Sequence, residues 1–329
     1  MKDSDLENAF RGLNRTELVN SAGVAYSDYR ASLTPRYVLV WIHVLCGYVA
    51  LIGLGFGIVY VEQRVSLPVL PLVALAGAFL FGYTIHFLHL FMHEGSHFNL
   101  ARNKDWNDRL ANVFIGILVG MHMKPYRPTH LDHHRFLGTP RDTEISYFDP
   151  LNTLFILESV LGIRVFKTLI NRNKVHRVKG IRDNKYDRWL AYRALLFSAM
   201  FHGAVILFAF LNGWYVLLFA WAGGACAFYP FLGSLRTLLE HRSEEASKDV
   251  DYRKESHGKI NRMFGVGPVA LTFGHAGFNR HLLHHMEPQI SYTRLRELEH
   301  FLMDTDWGKA SLDRFRTTYS RTFMRLYNR

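Results

Sequence analysis

Apolar and polar positions along this chain fall into long blocks and do not alternate. No charged residue occurs from Tyr37 to Val61 or from Val65 to Met92. A third block runs charge-free from about Ala194 to Leu211. A fourth, from Trp214 to Leu235, follows after only Asn212 and Gly213. Crossing the hydrocarbon core takes about 20 apolar residues at a helical rise of about 1.5 Å. Each block therefore predicts a membrane-spanning helix, over about residues 37–61, 67–92, 192–211 and 214–236. A buried soluble helix could account for one such block, but four in one chain argue against it. The expected fold is all-α, an integral membrane protein with four transmembrane helices.

The segments between the blocks are shorter and more polar. Residues 1–36 read as a polar lead-in carrying one amphipathic helix around Leu6–Val19, without the basic start and apolar core of a cleaved signal peptide. Pro68 and Pro71 mark the return of the first hairpin. The apolar stretch from Leu110 to Gly120 is too short to span comfortably and is expected to lie in the interface or to re-enter. Pro125 and Pro128 predict a turn, after which His130 opens a new helix. Residues 151–170 mix apolar runs with Glu158, Arg164 and Lys167, the pattern of an interfacial amphipathic helix. Trp189, Tyr192, Trp214, Tyr215 and Tyr229 lie near block ends, where an aromatic belt would sit. Spans and polar segments interleave, so the expectation is one domain over residues 1–329.

Composition alone does not separate soluble from membrane protein, since the chain is 49% hydrophobic and 20% charged. The placement of charge adds orientation. The first connection, Glu62 to Arg64, is almost neutral and the turn at Asn212–Gly213 carries no charge. Lys and Arg recur from Arg102 to Arg193 and again after Arg236. By the positive-inside rule both termini and the large middle segment face the cytoplasm, of a bacterial inner membrane or an endoplasmic reticulum. The net charge of +11 then belongs largely to that face. The basic run Arg172, Lys174, Arg177, Lys179, Arg182, Lys185, Arg188 suits anionic lipid, an acidic electron carrier or an anionic substrate head. With four spans, nucleic acid is the poorer reading of the charge. Cys46 and Cys226 both fall inside spans and imply neither a zinc ribbon, an iron–sulfur cluster nor a disulfide framework.

The chemistry is concentrated in histidine. His86, His89, His93 and His97 are spaced by three, four and four residues, so one helix would align them in a stripe where the second block runs out. His130, His133 and His134, and again His281, His284 and His285, form HxxHH clusters with metal-ligand spacing. Eight histidines exceed the needs of one ion with four to six ligands, and eight or nine nitrogens suit two metals. His241, beside Glu240 at the exit of the fourth block, is the expected ninth ligand, with His275 and His89 as rivals. Imidazole serves zinc, copper, iron and nickel alike, so ligand type does not name the metal.

Competing readings exist. His93, Glu94 and His97 fit the HExxH pattern of zinc proteases, with Glu94 as general base, but that leaves both HxxHH clusters without a role. Glu94 and His97 also mimic half of the soluble di-iron carboxylate motif, whose second half is missing. A histidine-based transporter or sensor should place its ligands near the bilayer midplane, whereas these cluster at one face.

HxxxH, HxxHH and HxxHH, in that order around four spans, resemble the membrane fatty acid desaturase/hydroxylase superfamily. Leu100, Asn103, Asn107 and Asp108 after the first box are similar to its usual context. So are Gly138, Asp142 and Glu144 after the second box, and Asn279, Met286, Glu287, Pro288 and Leu295 around the third. The likeness covers roughly residues 40–300. It implies a cytoplasmic His-rich cap holding two iron ions, with O2 as co-substrate. Hydrogen would be removed from an unactivated C–H bond of a fatty acyl or related lipid chain, giving a double bond. Hydroxylation, ketolation and oxidative decarboxylation are the other outcomes in that superfamily. The implied ligands are His93, His97, His130, His133, His134, His281, His284 and His285, with His241 as the ninth. Glu94 and Asp132 are the implied catalytic-site carboxylates, and Asp142, Glu144 and Glu240 further candidates for orienting imidazole N–H groups. His86 is expected to be a core or tunnel-lining residue, His43 and His202 to make hydrogen bonds inside spans, and His122, His176, His257 and His300 to lie at the surface. With no Cys-rich segment and no His-Pro-Gly-Gly haem motif in the sequence, electrons are expected from a separate ferredoxin, rubredoxin or cytochrome b5-type carrier with its reductase.

Overall fold

The computed structural model describes residues 15, 17–139, 141–164, 166–167, 184–247, 250 and 260–327. Helices account for the regular structure, and no strand occurs among the described residues, which contain only isolated β-bridges. Four helices are long and apolar enough to cross a membrane: Tyr37–Glu62, Leu67–Ser96, Lys185–Leu211 and Tyr215–Glu240. The first matches its predicted block, and the second and third contain theirs and extend it by a turn or more at one end. The fourth begins one residue later than predicted, with Trp214 as its N-cap, and runs a turn further. The second block in particular continues through His93 without a break.

The chain divides into two compact units. One comprises residues 38–129 and 152–236 and holds the spans. Its core forms where spans meet at small residues. A Cβ on Gly82 would lie 2.5 Å from Phe228 Cβ, and one on Gly224 would lie 2.6 Å from Phe81 Cβ. Without a hydrophobic drive between helices in lipid, such close approach is what supplies packing energy. Outward residues such as Val38, Phe56 and Leu211 remain more than 70% exposed, as a lipid-facing surface requires. Several polar groups inside the spans bond one another or the backbone. His202 donates from Nε2 to the Leu118 carbonyl at 2.8 Å and accepts the Trp221 Nε1–H at 3.1 Å, which fixes it as neutral imidazole. Tyr229 Oη lies 3.2 Å from His89 Nδ1. The predicted short stretch forms a helix, Lys104–Leu110, continuing into a π-type segment, Ala111–Gly116, and one further turn, Ile117–Val119.

The other unit comprises residues 1–37, 130–151 and 237–329. Its core gathers Leu18, Tyr26 and Leu33 from near the N-terminus with Leu282, Leu283, Met286, Leu295, Leu298, Phe301 and Leu312. The lead-in is thus part of the packing. Its one described helix is Tyr26–Ser32, and Arg30 and Tyr26 both bond Glu287. The helix expected around Leu6–Val19 falls mostly outside the described residues, and Val19 bridges Ala25 and is not helical. Two further expectations need correction. The second histidine cluster does not open a helix. The helix starts at Met123, contains Pro128, and carries the histidines in its last two turns. Pro128 is the sixth residue of that helix, past the donors that lack an intrahelical acceptor, so the helix forgoes one bond, to the Lys124 carbonyl, just before its histidines. The amphipathic helix expected over 151–170 is interrupted: Thr153–Val160 is followed by a turn at residues 161–162 and helix again at 163–164 and 166–167, while 165, 168–170 and the basic run 172–182 lie outside the described residues.

Candidate metal centre

Seven histidines meet within the second of these units. The third-box helix, His281–Met286, shows how the sequence arranges this. Leu282, Leu283 and Met286 enter the apolar core, so His281, His284 and His285 are left on the remaining face. All three are nevertheless buried, as are His130, His133 and His241. Two ligand sets form. His130, His134 and His284 each offer a ring nitrogen within 4.8 Å of the others', and so do His133, His241 and His285. Nε2 atoms face one another throughout. The separations are 3.0 Å for His130–His134, 3.1 Å for His134–His284 and 2.9 Å for His133–His241. His281 Nε2 lies 2.7 Å from that of His241 and 3.1 Å from that of His285.

The protonation of two rings follows from their outer partners. His133 Nδ1 lies 2.8 Å from Asp142 Oδ1, and a carboxylate can only accept, so Nδ1 carries the proton. His241 Nδ1 lies 2.9 Å from the Thr237 carbonyl, which likewise only accepts. Both Nε2 atoms are then bare. Two lone pairs aimed at one another across 2.9 Å repel unless a cation lies between them. Burial, together with the imidazoles of His134, His281, His133 and His241, holds His285 well below the ordinary histidine range, so it too stays neutral and able to ligate. Neutral, converging imidazoles in two sets fit a pair of first-row transition-metal ions such as iron.

Asp142 is the anchor of this arrangement. Fully buried, it takes His133 Nδ1–H and the Glu144 N–H on Oδ1, and the Tyr147 hydroxyl and the Gly138 N–H on Oδ2. The other carboxylates sit differently. Glu144 Oε1 is 3.9 Å from His130 Nδ1, Asp132 is half-buried on the histidine helix, and Glu240 accepts the Tyr319 hydroxyl at 2.7 Å.

In the span-bearing unit, His93 and His97 are buried one turn apart at the end of the second span, their ring centroids 5.1 Å apart. Glu94 Oε1 lies 3.6 Å from His93 Nδ1. The chain leaves the helix through Phe98 with φ 63°, and Asn107 and Arg127 hold this exit. Asn107 donates to the Gly95 carbonyl at 2.8 Å, and Arg127 donates to the Ser96 carbonyl at 2.9 Å while pairing with Asp108. Asn107 and Asp108 thus shape the box from outside it. His89 Nδ1 lies 3.2 Å from the Tyr229 hydroxyl and His275 Nδ1 lies 3.0 Å from the Leu271 carbonyl, and neither is among the residues of the two sets. His122, expected at the surface, is half-buried and accepts the Lys124 N–H at the start of the second-box helix. Thr237, Tyr147 and Tyr319 went unread in the sequence. Thr237 alone had a signal, its carbonyl falling one helical turn before His241.

A family model described as "Fatty acid desaturase" matches residues 66–316. No solved structure matches the chain.

Proposed function

The chain belongs to the fatty acid desaturase family, and from that premise we propose that it is a di-iron, O2-dependent desaturase placing a double bond in a fatty acyl or related lipid chain. The observation that carries the metal reading is the pair of bare Nε2 atoms on His133 and His241, held 2.9 Å apart by acceptors behind each ring. The ligands are His130, His134 and His284 for one ion and His133, His241, His281 and His285 for the other. His93 and His97 complete the nine on the family's first-box pattern.

Bound iron would supply O2 activation and removal of hydrogen from an unactivated C–H bond. The protein's own contributions are orientation, dryness and proton placement. Asp142 and the Thr237 carbonyl hold protons on Nδ1 of His133 and His241, keeping Nε2 unprotonated. Burial of His133, His281 and His284, each 1% exposed, keeps water from the donor atoms. Glu94, beside His93, and Asp132, on the helix of the second box, are assigned as carboxylates acting through the histidines of their own boxes. A zinc-protease reading of His93, Glu94 and His97 gives the seven other histidines no task.

The whole chain works as one domain, with both termini and the histidines on the cytoplasmic side. Its electrons come from a separate ferredoxin, rubredoxin or cytochrome b5-type donor. Lipid profiling of a host with and without the protein tests the reaction. A new double bond is expected, while a hydroxyl, a ketone or a shortened chain would reassign the chemistry within the family. Purified protein should hold about two irons per chain, and a single tightly held zinc would overturn the reading. His133→Ala should abolish turnover and lower bound iron while membrane insertion persists.

A further inference from the structure

We propose that Tyr147 is a positioning residue that tunes two of these ligands, setting the donor strength of His133 through Asp142 and the ring plane of His241 by stacking. The proposal rests on the reading that these histidines hold iron.

Tyr147 is 1% exposed and sits on the short 3-10 turn Ile145–Phe148. Its hydroxyl donates to Asp142 Oδ2 at 2.7 Å and accepts the Gly138 N–H at 2.9 Å. Burial, and the Asp142 carboxylate beside it, push the phenol well above its ordinary pKa, so it remains a donor. Its ring lies against His241 with centroids 5.1 Å apart and planes 21° from parallel, and meets His133 edge-on at 6.4 Å. One side chain therefore reaches two ligands of the same set by two different contacts.

The hydrogen bond has an electronic consequence. Asp142 shares its charge among four donors, of which His133 Nδ1–H is one. Removing the phenol leaves Oδ2 with the Gly138 N–H alone, at 3.1 Å. The carboxylate then draws harder on the His133 proton, and a more imidazolate-like His133 favours ferric over ferrous iron. A residue serving only as packing, with Leu137 and Ile260 around it, predicts otherwise. Phenylalanine preserves the ring and should change nothing.

The test is a mediated redox titration of purified, iron-loaded protein. Tyr147→Phe should keep its iron and prefer the ferric state about tenfold more strongly, a midpoint shift of about −59 mV for a one-electron step. Tyr147→Leu, which also removes the stacked face, should in addition bind iron about tenfold more weakly in chelator competition. In the Asp142→Asn background, Tyr147→Phe should add little further shift, because the path through the carboxylate is already cut. If Tyr147→Phe does not fold, 3-fluorotyrosine at position 147 replaces it. Its more acidic phenol strengthens the bond to Asp142 and should move the potential in the positive direction. An unmoved potential in fully iron-loaded Tyr147→Phe overturns the proposal alone. A parent protein that binds no iron overturns the metal reading and this proposal with it.

Discussion

Asp142 and its neighbours show how differently chemically similar residues are used. Among the carboxylates in or beside the motifs, Asp142 lies within hydrogen-bond reach of a ligand's Nδ1 at 2.8 Å, while Glu94 and Glu144 lie 3.6 Å and 3.9 Å from theirs. Asp142→Asn keeps the shape and removes the charge that favours a proton on His133 Nδ1. Iron affinity should fall about 10–100-fold, read by competition against a chromophoric chelator. Asp142 could be nominated from its place after the second box, whereas Tyr147 could not. Nothing in a spacing of five residues tells whether a tyrosine folds back on the carboxylate or faces solvent.

Elements are placed by close contact more than by propensity. The second span approaches the fourth where Gly82 and Gly224 lie, and a β-carbon on Gly82 would also meet the Tyr229 backbone nitrogen at 2.8 Å. Gly82→Ala should therefore destabilise the protein by about 1–3 kcal/mol, measured by denaturant unfolding in detergent. At the polar end of the chain, the loop after the third-box helix is held by Glu287, which is 2% exposed and accepts from Tyr26 at 2.9 Å and Arg30 at 2.6 Å. Glu287→Ala leaves the buried Tyr26 hydroxyl without that acceptor and should cost about 1–3 kcal/mol, with the loss visible in the same unfolding measurement. The span blocks were legible because lipid demands an unbroken apolar run. The start of the second-box helix was not, because prolines at positions 125 and 128 read as breakers although they fall within its first two turns.

For the molecule as a whole, metal and fold should be linked. Seven of the proposed ligands come from sequence positions as far apart as 130 and 285 within one compact unit, so the unfolded chain offers no comparable site. Binding to the folded state alone stabilises by about 2.7 kcal/mol when free metal is 100 times the dissociation constant. Chelating the iron should accordingly lower the melting temperature of the parent protein, while His284→Ala, already short of a ligand, should respond less. Differential scanning calorimetry with and without chelator reads both.

By itself the sequence determined four apolar helices, the three histidine boxes and the chemical family, because hydrophobic length and ligand spacing are local properties that no packing rearranges. Only the tertiary structure decided which histidines share a set. It also brought His241 beside His133 and His281, drew Tyr147 and Tyr319 onto buried carboxylates, and folded the N-terminal segment into the core behind the third box. Those choices depend on contacts between residues from five to more than a hundred positions apart, set by burial and hydrogen-bond satisfaction, which no local spacing records.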